Sequence, residues 1–135
     1  MIHPMTPQLL SMAVLMVVTT AGAHAHHSIS GMYDSARSVT IDGVVTQYQF
    51  VNPHPFVDLR DSKTSQTWRL EMDTRGELGS IGMNEQTLKP GDRLVVTGSP
   101  AYREPNRMYI ERLERPADGF GYEQINNTPR RLDSR

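Results

Sequence analysis

Short apolar runs, each ended by turn-forming residues, are the feature that most constrains the fold of this 135-residue chain. Runs of about four to eight residues bounded by Gly, Pro, Asn, Asp or Ser are typical of strands. The segment between the third and fourth runs, Arg75–Leu88, has low β-propensity and is predicted to hold a short helix that its glycines make irregular. The pattern predicts five strands, at Val39–Val51, Phe56–Asp61, Thr67–Met72, Arg93–Ser99 and Met108–Leu113.

The order of these elements favours one architecture. Three strands, a helical connection and two more strands follow one another in an OB-fold, which is a five-stranded, partly open barrel. We therefore predict an all-β fold with one short helix, in a small five-stranded OB-like barrel. The apolar positions of the first strand change parity near Gly43, where we expect a bulge or bend. A small β-sandwich is the alternative, because short and evenly spaced strands also fit it.

Alternation assigns inward and outward positions in the second and third strands. The outward positions include Asp58, Arg69 and Glu71, and an ion pair between Asp58 and Arg69 across the two strands is one structural role for them. The predicted inward residues are Val57, Leu59, Trp68, Leu70 and Met72.

An apolar run at the amino terminus predicts export. Leu9–Ala23 is too short for a comfortable membrane span of about 20 residues, and Ala23-His24-Ala25 is an A-x-A cleavage pattern. We predict a signal peptide at 1–25, a barrel domain at 26–115 and a flexible polar tail at 116–135. The mature protein is then periplasmic or secreted and has no membrane anchor. An uncleaved membrane anchor is the alternative.

Charge and motifs exclude several classes of function. The net charge of −1 gives no long-range attraction to nucleic acid, which we do not expect as a partner. The chain has no cysteine, no Gly-x-Ser-x-Gly elbow, no phosphate-binding loop and no His-Glu-x-x-His motif. We therefore expect a binding protein and not an enzyme.

Histidines supply the candidate chemistry. Cleavage after Ala25 makes His26 the amino terminus, whose amine and ring nitrogen suit Cu(II), Ni(II) or Zn(II). Cleavage after Ala23 also leaves a metal-competent terminus, and a histidine-rich linker without metal is the alternative to both. The predicted metal ligands, with copper as the first choice, are His26, His27 and His54, with Asp58 and Glu71 as further ligands or orienting groups.

Five short motifs occur together in a fixed order. They are His-His-Ser at 26–28, Asn-Pro-His at 52–54, Trp-x-Leu-Glu at 68–71, Leu-Lys-Pro-Gly-Asp at 88–92 and Val-Val-Thr-Gly at 95–98. In this order they resemble a family of small exported bacterial proteins that is classed as a domain of unknown function. The resemblance runs from His26 to about Leu113 and implies an exported β-barrel-like domain, with no activity to carry over. Pro55 departs from the pattern, which has a small or aromatic residue after Asn-Pro-His.

These observations leave three functional hypotheses. The first is an exported binding module that coordinates copper through His26. The alternative is a metal-free OB-like module that binds a partner protein or an oligosaccharide in the cell envelope, through Arg60, Arg69 and the loop Pro100–Asn106 with Tyr102. The third is an oxidase-like copper enzyme.

Overall fold

The computed structural model describes residues 29–132. The chain divides into two compact units, Met1–Gly31 and Met32–Arg135. Of the first unit only residues 29–31 are described, and they are helical. The predicted signal peptide, with His26 and His27 after it, lies outside the described residues. Within the described range, no helix has the length and apolar character needed to span a membrane.

The described part of the second unit is built mainly from strands. All five predicted strands are confirmed, with ends that differ from the prediction by two residues at most. The elements are β1 (Val39–Gln49), β2 (Phe56–Asp61), β3 (Thr67–Glu71), α1 (Arg75–Ser80), β4 (Arg93–Pro100), β5 (Arg107–Arg115), β6 (Phe120–Ile125) and β7 (Thr128–Leu132).

The first five strands close into a barrel. β1 pairs antiparallel with β2 and β4, β2 pairs with β3, and β4 pairs with β5. A parallel pairing of β3 with β5 joins the two ends of this sheet. Parallel neighbours need a long crossover connection, and here α1 and β4 lie within that connection. The structure thus confirms the predicted five-stranded OB-like barrel, and the β-sandwich alternative is wrong.

Aliphatic side chains fill the barrel as the alternation of β2 and β3 predicts. Val57, Leu59 and Leu70 are fully buried, and so is Met72 just after β3. Burying one such side chain completely contributes about 1.5–3 kcal/mol to folding. Trp68, also predicted to face inward, is only partly buried and packs against the core.

The irregularity of β1 lies beyond the predicted glycine. The register with β2 shifts between Val45 and Gln47, whereas Gly43 sits in regular pairing. A Cβ atom at Gly43 would lie 2.4 Å from the backbone oxygen of Arg60, so close approach of β2 explains this glycine. The prediction of a bend near residue 43 is therefore wrong by two to four residues.

The segment after residue 116 is a hairpin and not the predicted flexible tail. β6 pairs antiparallel with β5 and β7 pairs with β6, so the sheet extends beyond the barrel. Phe120 and Tyr122 alternate into the core, and burial of these two rings stabilises the hairpin. The turn holds Asn126 and Asn127 at φ 51° and 61°, a left-handed region that asparagine tolerates better than most residues.

The predicted short helix is confirmed and occupies the first part of the segment Arg75–Leu88. Thr74 caps α1, and Glu77 bonds back to the Thr74 backbone N–H, which completes a capping box. The helix ends at Ser80, and Gly82 follows with φ 85°. The remaining residues up to Leu88 form turns, because a residue in that left-handed conformation ends a helix.

Candidate functional site

One edge of β5 is shared by two neighbouring strands. β3 pairs with its first half and ends where Glu71 faces Tyr109, whereas β6 pairs with its second half from Arg112 onward. The chain leaving β3 and the last residues of β6 meet between these halves. Four polar side chains lie there and are called the β3–β6 junction: His54, Asp73, Tyr109 and Gln124.

His54 is fixed in the loop between β1 and β2. The Met72 backbone N–H donates to the Pro55 carbonyl and that of Arg75 to the Pro53 carbonyl, each at 3.0 Å, so both sides of the loop are held. The His54 Nδ1 lies 2.8 Å from the Met72 carbonyl oxygen. Because a carbonyl only accepts, Nδ1 must carry the proton, which leaves the lone pair of a neutral ring on Nε2. This Nε2 is buried and has no hydrogen-bond partner in the described structure.

Asp73 is the second strongly buried polar residue of the junction, with 3% of its surface exposed. Its Oδ1 accepts a hydrogen bond of 2.7 Å from the Tyr109 hydroxyl and another from the Gln124 amide. The same Gln124 nitrogen donates to the Tyr109 oxygen at 2.8 Å. Asp73 Oδ2 is buried and has no hydrogen-bond partner among the described residues. One carboxylate oxygen is therefore held and the other is unpaired.

The electrostatics of the junction follow from burial. Desolvation raises the pKa of Asp73 to about 6, with a further rise from the charge of Glu77. Hydrogen bonds from Tyr109 and Gln124 oppose this rise. Burial, followed by the Asp73 charge, raises the pKa of Tyr109 far above its usual value, which keeps the phenol protonated as a donor.

Asp58, a predicted metal ligand, is engaged elsewhere. Both of its carboxylate oxygens accept hydrogen bonds of 2.9 Å from Arg69, the residue directly opposite on β3. The sequence analysis predicted this cross-strand ion pair as one structural role for Asp58 and Arg69. A guanidinium that neutralises the carboxylate leaves little attraction for a metal cation.

Glu71, the other predicted carboxylate ligand, is neither solvated nor available. It faces away from the barrel interior, as alternation predicts, but Tyr33 and Arg107 cover it and only 6% of its surface is exposed. The Tyr33 hydroxyl donates to its Oε2, and Arg107 lies 3.1 Å from the same atom. Glu71 is therefore outward, as predicted, but buried, because Tyr33 from before β1 folds over this strand face.

Arginines and aromatic rings cover the outer side of the sheet. Arg69 lies 5.7 Å and Arg107 6.0 Å from the centre of the Phe56 ring. We call the outer surface of β2, β3 and the start of β5, with residues 101–106, the β2–β3–β5 face. On it Arg60 and Arg103 are exposed and make no ion pair within the described part of the chain, and Tyr102 is 58% exposed.

The described residues contain two buried donor atoms without a hydrogen-bond partner on His and Asp side chains, but no complete metal-binding group. No three His, Asp or Glu side chains between residues 29 and 132 form a group that could hold a metal ion. His54 and Asp73 each present one buried, unpaired donor atom, nitrogen on one and oxygen on the other. His26 and His27 lie outside the described residues, so the structure brings none of the other predicted ligands to His54.

Sequence reasoning missed Asp73, Tyr109 and Gln124 because their meeting depends on long-range pairing. Asp73 directly precedes the capping residue of α1 and therefore resembles part of a helix start. Gln124 lies in the segment predicted to be a tail. The regular spacing of Phe120 and Tyr122 is the local signal that indicates a strand there.

Comparison with a solved structure, at a TM-score of 0.50, supports the fold. A chain of the structure titled "Crystal structure of S. pombe Stn1-ten1 complex" aligns with a TM-score of 0.50 at 14% identity, covering 61% of this chain and 60% of that chain. A chain of the ZRD-deleted mutant of TiaS in complex with agmatine aligns with a TM-score of 0.49 at 15% identity, covering 70% and 29%. This chain thus spans less than two thirds of the length of either one. At 14% identity, the similarity to the Stn1-ten1 chain shows the fold alone.

Sequence comparison assigns the chain to a family. No curated protein sequence matches it. The model of a family of unknown function, DUF6152, matches residues 13–109, which is more than half of the chain. The match confirms the resemblance to a domain-of-unknown-function family that the five motifs indicate. The chain therefore belongs to the family of unknown function DUF6152.

Proposed function

We propose that this protein is an exported small binding module that coordinates a transition metal, with copper as the first choice. The OB-like barrel is a scaffold suited to a small binding module. In this proposal it supplies His54 as a metal ligand, and the predicted mature terminus supplies His26 and His27. The role is one of binding, without a catalytic step.

The state of the His54 ring carries the proposal. A metal-ligating histidine usually donates its other ring N–H to a carboxylate or backbone carbonyl, which fixes the tautomer and the ring orientation. His54 meets this description, since Nδ1 bonds to the Met72 carbonyl at 2.8 Å and Nε2 is left unpaired. A buried polar atom without a partner costs about 1–3 kcal/mol, and coordination of Nε2 to a metal would offset this cost.

The terminal histidines supply the remaining nitrogen donors. A free amine and the imidazole of His26 chelate one ion, and nitrogen donors favour Cu(II) over the other common divalent ions. Each nitrogen must be deprotonated before it binds, with pKa values near 6.5 for an ordinary imidazole and near 8 for an α-amine. Bound copper should therefore be released as the pH falls below neutrality.

Calorimetric titration with Cu(II) at neutral pH tests this proposal on protein exported by its own leader. Four proteins are compared: the wild type, a form with one alanine inserted before His26, His54→Ala, and the double change. We expect each single change to weaken binding by about tenfold or more, and the double change to be less than additive because the donors share one ion. Equal affinity in all four proteins would contradict the proposal. The unfolding temperature of each metal-free protein controls for misfolding.

A second candidate function is metal-free binding of an anionic envelope partner, a protein or an oligosaccharide. The favouring observation is the pair Arg60 and Arg103, both exposed on the β2–β3–β5 face without an ion-pair partner among the described residues. Tyr102, exposed in the same loop as Arg103, adds an aromatic surface. Unpaired guanidinium groups suit carboxylate or phosphate groups of a partner.

The second candidate is tested by measuring binding to two acidic polymers with a chelator present. Polyglutamate represents an acidic peptide and polygalacturonate an acidic saccharide. Arg60→Gln with Arg103→Gln should weaken binding of the preferred polymer by about tenfold and flatten its salt dependence. Lys89→Gln is the control, because Lys89 is exposed in the turn before β4. If the control weakens binding as much as the arginine changes do, the attraction is non-specific and this candidate fails.

A further inference from the structure

We infer that Asp73 is the second barrel ligand of the metal, held in place by Tyr109 and Gln124 as positioning residues, and that the site therefore prefers divalent ions, Cu(II) or Zn(II), over Cu(I). This inference rests on the proposed function, because it names a further ligand and the oxidation state of the metal at the same site.

The Asp73 carboxylate is oriented as a ligand would be. Ligating carboxylates are themselves hydrogen-bonded, which fixes the oxygen that faces the metal. Here Tyr109 and Gln124 both donate to Oδ1, and Gln124 also bonds to Tyr109, so the three side chains fix one another. The second oxygen, Oδ2, is left buried and unpaired. Two donors from separate strands serve one oxygen, and only the other remains for an ion.

His54 and Asp73 belong to one local structure. The His54 ring is bonded to the carbonyl of Met72, the residue immediately before Asp73. The backbone of Met72 is in turn bonded to Pro55, the residue immediately after His54. The two unpaired atoms, Nε2 and Oδ2, are therefore carried by segments that hold each other on both sides.

The charges around Asp73 favour a cation. Asp58 and Glu71 each form an ion pair with an arginine, at 2.9 Å and 3.1 Å. Asp73 forms no such pair in the described part of the chain, and Glu77 adds a second negative charge nearby. The buried Asp73 and the half-buried Glu77 repel one another, and a bound cation relieves that repulsion.

Donor chemistry selects the oxidation state. Cu(I) prefers soft thiolate and thioether ligands, whereas imidazole and carboxylate suit divalent copper and zinc. The chain has no cysteine, and the Met72 side chain is fully buried in the barrel core. A site built from imidazole nitrogen and carboxylate oxygen should therefore bind Cu(II) most tightly, Zn(II) less tightly and Cu(I) weakly.

The test measures Cu(II), Zn(II) and Cu(I) affinity together with the electron paramagnetic resonance spectrum of the Cu(II) form. Asp73→Asn should weaken Cu(II) binding by about tenfold or more and change the spectrum, because an oxygen donor is lost. Tyr109→Phe should weaken it less and shift the spectrum, which a purely structural role would not do. Asp58→Asn is the matched control and should change neither, since Asp58 binds Arg69 on the sheet surface.

The outcomes separate this inference from the proposed function. If His54→Ala weakens Cu(II) binding but Asp73→Asn leaves affinity and spectrum as in the wild type, Asp73 is not a ligand and His54 still is. If neither change matters, both proposals fall. Asp73→Asn is expected to fold, because it replaces a buried charge by a neutral group of the same shape. If metal-free Asp73→Asn unfolds at a different temperature from the wild type, the electron paramagnetic resonance spectrum of Asp73→Glu with Cu(II) decides. An unchanged spectrum overturns the inference, and a shifted spectrum supports it.

Discussion

Asp58 and Glu71 face the same side of neighbouring strands, yet their surroundings differ. The partner of Asp58 is an arginine whose side chain is 51% exposed, whereas Glu71 and its partner Arg107 are 8% and 21% exposed. Exposed ion pairs contribute about 0–1 kcal/mol to stability. Removing one member of a buried pair costs several times more, because the other charge stays buried without a partner.

Glu71→Ala is therefore predicted to destabilise the metal-free protein by about 2 kcal/mol, and Asp58→Ala by less than about 1 kcal/mol. The Glu71 value lies below that for a fully buried pair because Arg107 keeps its bond to Glu104 at 2.9 Å. Urea denaturation of the two variants measures the difference. Equal midpoints would mean that the cover formed by Tyr33 over Glu71 contributes nothing to stability.

For some single residues, burial and hydrogen bonding could not be predicted from the sequence. Val57, Leu59 and Leu70 were assignable to the core because alternation along one strand is a local property. The burial of Glu71 and the unpaired oxygen of Asp73 depend on residues 36 or more positions away, such as Tyr109. No spacing within one strand carries that information.

At the scale of elements, the sequence located the barrel strands well and the last hairpin not at all. The barrel strands are bounded by Gly, Pro and Asn and contain β-branched residues, which favour strands wherever they occur. β6 and β7 are rich in charged and amide side chains, and their stability comes from pairing with β5 and from two buried rings. Tertiary pairing decided their structure, not local preference.

This hairpin supplies a prediction of its own. Tyr122→Ala should destabilise the protein by about 3–5 kcal/mol, because the ring is fully buried in the core. Ile125→Ala, in the same strand, is the control and should cost less than about 1 kcal/mol, since Ile125 is 43% exposed. Thermal and denaturant unfolding measure both. If Tyr122→Ala unfolds like the wild type, this segment does not pack on the barrel in solution.

At the scale of the molecule, the barrel and the hairpin together create the β3–β6 junction. A five-stranded barrel alone would place Asp73 at the end of β3 without the amide that holds it, because Gln124 comes from β6. The added strands therefore supply a donor to the Asp73 carboxylate, while the loop before β2 supplies His54. His54 Nε2 and Asp73 Oδ2, the two unpaired atoms of the proposed metal site, are both buried within the described residues.

Native mass spectrometry of the protein exported by its own leader tests the central claim most directly, because one spectrum reads the mature mass and any bound metal. With one equivalent of Cu(II) supplied, the account predicts a chain beginning at His26 that carries one copper ion, and a smaller copper-bound fraction in His54→Ala. A mature chain that stays metal-free under these conditions, or an equal copper-bound fraction in the wild type and His54→Ala, would contradict the account.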